Sequence, residues 1–217
     1  MYTPKAFAVD DLATLQADML NSNLATLVTM TKGGLVATHL PVLLNPDQGD
    51  NGTILGHVSR ANLQWRDSGP TIDALITFTG PDSYVTPSWY PAKRETGRVV
   101  PTWNYAAIHV YGPITFFDDP ERLRDIVTRL TNKFEAPNPT PWQVTDAPPE
   151  YIDSQLKAIV GFEMPIYRIE GKRKFNQNRS ADDRLGVIQG LRALGGDQKR
   201  EVADLMEQIE SSHIPPK

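Results

Sequence analysis

Apolar residues recur along this chain at two spacings, and the switch between them marks the elements. Leu12, Leu15 and Met19 lie three and four residues apart, which predicts a short amphipathic helix behind Asp10, a residue suited to cap its first turn. Residues 24–31, LATLVTMT, are instead rich in β-formers. Lys32-Gly33-Gly34 is a turn signal, and residues 35–44, LVATHLPVLL, predict the returning strand of a hairpin. A polar loop over 45–52 leads to a strand over 53–58, a short helix over 59–67 capped by Ser59, and a strand over 71–79 with Asp73 as an ill-fitting member.

Between Tyr84 and Gly112 the pattern changes to rings. Trp89 and Trp103 lie here with Tyr84, Tyr90, Tyr105 and Tyr111, and Lys93, Arg94 and Arg98 form a basic loop between two aromatic groups. Each ring offers a flat apolar face, and Tyr and Trp add a polar handle, which suits a planar cofactor or a tight subunit interface. Residues 106–117 predict a long strand with a bend at Gly112-Pro113. Asp119-Pro120-Glu121 then starts a helix whose buried face is Leu123, Ile126, Val127, Leu130 and Phe134. A loop with five prolines covers 136–149. A short helix over 150–158 and a strand over 159–170 follow, and helices over 181–194 and 198–210 flank Gly195-Gly196. Strands in runs with helices around them, without regular β-α alternation, predict a mainly β (α+β) fold: an antiparallel barrel with peripheral helices.

Composition narrows the functions. A chain of 217 residues accommodates one ordinary domain and an appendage. Its net charge of −4 gives no global basic footprint of the kind that holds DNA. With no cysteine, disulfides, thiolate metal sites, cysteine nucleophiles and iron–sulfur clusters are excluded. The start of the chain lacks a secretory pattern and no apolar run is long enough for a membrane span, so a cytoplasmic protein is expected.

Motifs for a nucleophile elbow, a P-loop, a dinucleotide fold or a zinc protease are absent. His39, His57 and His109 fall on expected strands and His213 in the tail, with no paired spacing that supports a metal. No catalytic acid–base pair can be named from spacing. Anion binding is better supported. His57-Val58-Ser59-Arg60-Ala61-Asn62 places a hydroxyl, a guanidinium and an amide after a strand, a set that suits a phosphate and reads equally well as a helix cap with a surface arginine. The amides of Lys174-Phe175-Asn176-Gln177-Asn178 suit the edge of a flavin or nucleobase, or an ordinary strand-to-helix loop.

Taken together and in order, MYTPKAF, THLP, GHVSRANLQW, YVTPSWY, VPTWNYAAIHVYG, KAIVGFE and KFNQN resemble the FMN-binding negative transcriptional regulators, the PaiB-like family, from Met1 to about Leu194. The resemblance implies an FMN-binding split barrel over 1–178 with a C-terminal helical appendage over 179–217. It also implies a homodimer with its cofactor sites at the subunit interface. Ser59, Arg60 and Asn62 would hold the FMN phosphate, and Thr38 and His39 would flank the isoalloxazine or ribityl chain. Ser88, Trp89, Trp103 and Asn104 would lie near the ring system from the other subunit, and Lys174, Gln177 and Asn178 would close the pocket. Where this chain has Asn176, the family pattern more often has a small hydroxyl residue.

Three functions follow. The first is a flavin-binding regulator acting on DNA directly or through a partner. The second is an FMN-dependent oxidoreductase, in which the cofactor does the redox chemistry and the protein supplies orientation. The third is a haem-binding barrel. The closing helices mix Arg184, Arg192, Lys199 and Arg200 with Asp182, Asp183, Glu201, Asp204, Glu207 and Glu210, which suits packing better than reading a DNA groove.

Overall fold

The structure, a computed structural model, describes residues 1–67 and 73–212. In chain order the elements are β1 (Ala8–Val9), α1 (Leu12–Asn21), β2 (Ala25–Thr31), β3 (Gly34–Leu40), β4 (Val42–Asn45), β5 (Thr53–Ser59), α2 (Gln64–Asp67) and β6 (Asp73–Val85). Then come α3 (Ala92–Glu95), β7 (Thr102–Pro113), β8 (Thr115–Phe117), α4 (Pro120–Glu135), α5 (Pro149–Leu156), β9 (Ile159–Pro165), β10 (Arg168–Lys174), α6 (Ala181–Leu194) and α7 (Asp197–Ser212). The mainly β architecture with peripheral helices agrees with the pattern. Residues 71 and 72 of one expected strand, and His213, lie outside the described residues.

Several boundaries differ from expectation, each for a local reason. Asp11 rather than Asp10 caps α1: its carboxylate accepts the Thr14 N–H at 2.8 Å and the Thr14 hydroxyl at 2.6 Å. These two bonds, the hydroxyl's first, hold the Asp11 carboxyl below its ordinary range. The expected strand over 35–44 is two strands, because Pro41 has no N–H to give a ladder and the chain changes sheet there. The run over 106–117 divides at Ile114, just past the expected bend, and 159–170 divides at Ile166–Tyr167. The helix expected over 59–67 is only α2, four residues long, and Ser59 ends β5 instead of capping it.

The chain packs as two compact units, with the border falling inside β6, β7 and β10. The second unit, Asp11–Phe78 and His109–Ile169, contains β2 paired antiparallel with β3, from Ala25↔Leu40 to Thr31↔Gly34, and with the start of β6, from Ala25↔Phe78 to Val28↔Leu75. It also holds the four-stranded antiparallel sheet, in the order β4-β5-β9-β8. Helix α4 covers that sheet. Asp119 caps it by accepting the Arg122 N–H at 2.8 Å, with Pro120 in the first turn. Ile126 and Leu130 pack on Leu43 and Leu55, while Leu123 packs with Val144, Ile152 and Leu156. Each such buried side chain contributes roughly 1.5–3 kcal/mol. Phe134, expected on that stripe, is 39% exposed.

The first unit comprises Met1–Asp10, Thr79–Ile108 and Glu170–Lys217. Here β1 pairs antiparallel with β10 through Ala8↔Lys172 and Val9↔Gly171, and β10 lies beside β7. Helices α6 and α7 close over a core that includes Val85, Tyr90, Phe175, Leu191, Val202 and Met206. Ser180 caps α6 by accepting the Asp183 N–H at 3.2 Å. Gly195 ends that helix with φ 70°, in the left-handed region that glycine enters without a Cβ penalty. Among the described residues, no helix is long and apolar enough to cross a membrane.

Candidate functional site

In the second unit a buried glutamine organises the polar residues. Gln64, 2% exposed, opens α2 and reaches under the β2–β3 hairpin. Its amide nitrogen donates to Thr29 Oγ1 at 3.0 Å and to the Val36 carbonyl at 3.3 Å, and its amide oxygen accepts the Thr38 hydroxyl at 2.6 Å. Asn62 completes the network. Its Nδ2 donates to Thr38 Oγ1 at 2.9 Å, and its Oδ1 accepts the Gln64 N–H at 3.0 Å. Thr38 and Asn62 are thus brought together and fixed in orientation, as buried polar groups must be to avoid an uncompensated desolvation cost. Ser59 stands one turn away, exposed, with its hydroxyl oxygen accepting the Ala61 N–H at 3.3 Å and its carbonyl accepting the Asn62 N–H at 2.9 Å.

His39 is placed differently. Adjacent residues of a strand point to opposite faces, so His39 lies on the face of β3 away from Thr38. There its Nδ1 is 2.9 Å from the Thr26 hydroxyl. A second strand histidine, His57, is held below its ordinary pKa by burial, and its Nδ1 has no hydrogen-bond partner among the described residues.

Arg60 is largely committed to the main chain. Nε donates to the Lys157 carbonyl at 2.8 Å and one terminal nitrogen to the Ile159 carbonyl at 3.0 Å; the other faces Asp118 at 3.8 Å. The Arg60 N–H also donates to the Ala158 carbonyl at 2.8 Å. Its guanidinium therefore clamps the corner between α5 and β9. Arg60→Ala is expected to lower folding stability by about 2 kcal/mol, since two charge-assisted bonds to main-chain carbonyls are lost. Urea denaturation measures this, and a change within error would show that water replaces the clamp.

The remaining expected residues belong to the first unit and divide among three places. Trp103 and Lys174 come together: the Lys174 ammonium donates to the Trp103 carbonyl at 2.8 Å and to the Thr102 hydroxyl. The Trp103 ring is exposed and meets Tyr84 edge-on at 6.0 Å between centroids. Asn104 points the other way, fully buried, with Nδ2 3.4 Å from Met206 Sδ of α7 and Oδ1 unpaired among the described residues. Trp89 and Ser88 lie in the turn before α3. A Cβ built on Gly190 would sit 2.4 Å from the Trp89 ring, and one on Gly186 2.1 Å from the Trp89 carbonyl oxygen. The indole thus lies flat on α6. Asp183 of the same helix, itself buried, accepts the Ala92 N–H at 3.1 Å. Ser88 is exposed and accepts from Lys93 at 3.1 Å. Gln177 bonds within its own loop, accepting the Phe175 N–H at 2.7 Å and donating to the Arg173 carbonyl at 2.6 Å, and Asn178 is exposed.

Three residues outside the expected set prove structurally central. Gln64 is the hub just described. Tyr90 and Asn176 are both buried, and the Asn176 amide donates to the Tyr90 hydroxyl at 2.9 Å. Asn176 takes φ 64°, a left-handed conformation that asparagine tolerates better than most residues, which gives the asparagine a backbone reason at this position. The signal for α6 packing was visible: two glycines four residues apart inside a helix are costly unless something approaches closely.

Comparison with known proteins joins these observations. A family model described as "Putative FMN-binding domain" matches residues 1–168. The protein named Protease synthase and sporulation protein PAI 2, from Bacillus subtilis, is 35% identical over 209 residues, covering 95% of this chain and 97% of that protein. An uncharacterized protein of Emericella nidulans is 32% identical, covering 96% of this chain and 97% of its own length. Among solved structures, the FAD and haem binding protein from Mycobacterium smegmatis superposes with a TM-score of 0.55 at 15% identity, over 88% of this chain and 80% of that one. The flavocytochrome Anf3 from Azotobacter vinelandii superposes with a TM-score of 0.56 at 15% identity, over 82% and 75%. At such identity the likeness is one of fold, the open split barrel. Matched by the family model over most of its length and by PAI 2 nearly end to end, this chain belongs to the FMN-binding-domain family and is a PaiB-like member of it.

Proposed function

We propose that this protein binds FMN as a cytoplasmic homodimer and works as a flavin-responsive regulator of gene expression. The observation that carries the reading is the near end-to-end similarity to PAI 2 together with the FMN-binding family match.

The donors left over in the second unit fit a flavin's phosphate and ribityl chain. Ser59 keeps its O–H and Asn62 keeps one amide hydrogen beyond the bond to Thr38; His39, on the opposite face of β3, keeps Nε2 for a group on that face. Thr38 and Asn62 enter pre-oriented by Gln64, which lowers the entropy cost of binding. Arg60 shapes the corner next to Ser59, and its nitrogen toward Asp118 supplies positive charge for a phosphate. Ser88, Trp89, Trp103 and Asn104 of the partner subunit are assigned to the flavin ring, and Lys174, Gln177 and Asn178 to the pocket edge. Trp103 and Lys174 are the pair best presented for this. Bound FMN would supply redox chemistry; the chain's residues bind, orient and exclude water.

The dimer reading is supported by an exposed sheet face. The pairings Leu35↔Met30, Ala37↔Val28 and Val28↔Leu75 put these side chains on one face of β3, β2 and β6. Leu35 is 72% exposed and Met30 48%. A contiguous apolar patch of this kind marks an interaction surface more often than a solvated one. The basic residues Lys93, Arg94 and Arg98, all exposed, are the residues of the first unit we assign to DNA contact.

Purified protein is expected to show a flavin absorbance spectrum, to release a compound with the mass of FMN, and to sediment as a dimer. Leu35→Glu with Met30→Glu is expected to shift the sedimentation to a monomer. A protein that neither retains nor takes up FMN in titration would overturn the cofactor reading. Bleaching of the bound flavin by NAD(P)H would move the function to the oxidoreductase class.

A further inference from the structure

The first unit contains two lysines whose charges meet no carboxylate among the described residues. Lys172 and Lys174 alternate on β10 and so share a face. Lys172 is only 8% exposed. Its ammonium donates to the Tyr2 carbonyl at 3.1 Å and lies 5.1 Å from the Tyr105 ring centre and 6.0 Å from that of Tyr2. The partners of Lys174 are the Thr102 hydroxyl and the Trp103 carbonyl. Glu170, the carboxylate of the same strand face, is engaged by the Met1 ammonium.

This arrangement is unusual on physical grounds. A lysine that is nine-tenths buried ordinarily carries an opposite charge beside it, because desolvating an ammonium is costly. Carbonyl oxygens and ring faces attract a cation without neutralising it. Here a second cation, the half-buried Lys174, also feels the first. Burial pushes the Lys174 ammonium down, the nearby Tyr105 holds it up, and the charge of Lys172 pushes it down again. An anion able to answer both charges at once would compensate this pair.

We propose that Lys172, Lys174, Thr102 and Tyr105 form a binding site for a phosphate group, carried by a phosphate monoester or present as inorganic phosphate. A carboxylate would answer one charge; a phosphate dianion answers two. Its tetrahedral oxygens can accept from both ammonium groups and from the hydroxyls of Thr102 and Tyr105. Lysine serves as a point charge for phosphate and does not need the planar fork of arginine. This goes beyond the flavin reading, in which Lys174 only closes a pocket edge and Lys172 and Tyr105 have no part. The phosphate is either that of FMN itself, which would leave Ser59, Arg60 and Asn62 to other parts of the flavin, or that of a separate ligand.

The test uses the full chain and two probes. In thermal denaturation at matched ionic strength, inorganic phosphate is expected to stabilise the wild type beyond chloride. Lys174→Gln should weaken that response about tenfold and Lys174→Arg should keep it. Without phosphate, Lys172→Met is expected to melt higher than the wild type, since it removes an uncompensated buried charge. Titration with FMN and riboflavin separates the two sources. If the phosphate belongs to FMN, the wild type prefers FMN to riboflavin by about tenfold or more, and Lys174→Gln abolishes the preference. If it belongs to another ligand, Lys174→Gln leaves the preference unchanged while losing the response to inorganic phosphate. The proposal is overturned if wild type and Lys174→Gln respond alike to phosphate, including no response in either. That result leaves the flavin reading standing, because FMN uptake is measured separately.

Discussion

Replacing Gln64 with leucine is expected to lower folding stability by about 3 kcal/mol, at roughly 1 kcal/mol for each of three lost side-chain bonds. Leucine fills a similar space, so the loss comes from polarity and not from a cavity. Thr38 loses its acceptor, and Thr29 Oγ1 and the Val36 carbonyl each lose a donor, while the main-chain N–H of residue 64 still reaches Asn62 Oδ1. The functional effect should exceed what stability alone explains. The Thr38 hydroxyl becomes free to rotate and no longer orients the Asn62 amide that donates to it, and flavin affinity is expected to fall about tenfold even where the variant is fully folded. Urea denaturation reads the first effect and fluorescence titration with FMN the second. A variant that is destabilised but binds FMN like the wild type would show that the network supports only the fold.

The second large effect concerns α6. Gly190→Leu should destabilise the first unit by about 3 kcal/mol, because the new side chain must enter space held by the Trp89 indole. Helix propensity works in the opposite direction, favouring leucine over glycine by somewhat under about 1 kcal/mol, so the steric term decides the sign. As α6 is pushed off, Leu191 and Val187 lose their packing on Tyr90 and Phe175. Limited proteolysis near Gly195-Gly196 should then become faster. Gly33→Ala is the control, since its Cβ would meet nothing closer than Thr31 Oγ1 at 3.7 Å. Equal melting temperatures for Gly190→Leu and the wild type would mean that Trp89 can leave its seat at little cost.

What the sequence reveals and what it hides follows from the range of the interactions involved. Helices α4 and α6 could be read closely because their caps and apolar spacing are local: Asp119-Pro120 starts one, and Gly195 stops the other. The inward direction of Asn104 was also accessible, since it alternates in phase with the buried Ile108 and Val110 on β7. Gln64 was not. A glutamine in a short polar stretch looks like surface, and it is buried only because Thr29 and Val36, 35 and 28 residues away, bring their oxygens to it. Arg60 shows the same limit from the other side. The main-chain carbonyls that its side chain engages lie 97 and 99 residues further along the chain. Strand propensity likewise cannot say which of two sheets a strand joins, so the changes of sheet at Pro41 and Ile114 were read as a continuous strand and as a mere bend.

Those two changes of sheet constrain how the second unit can vary. At Pro41 a single residue separates β3 from β4, and at Ile114 a single residue separates β7 from β8. A one-residue slip of any strand would turn its whole apolar set to the wrong face. With no slack at either junction, a slip in one sheet could not be absorbed before the next strand begins. An insertion or deletion in β3 would have to be matched by one in β4, and the same holds for β7 and β8. Length changes should therefore accumulate over descent in the long loops, such as residues 46–52 and 136–148, and be excluded from these two corners.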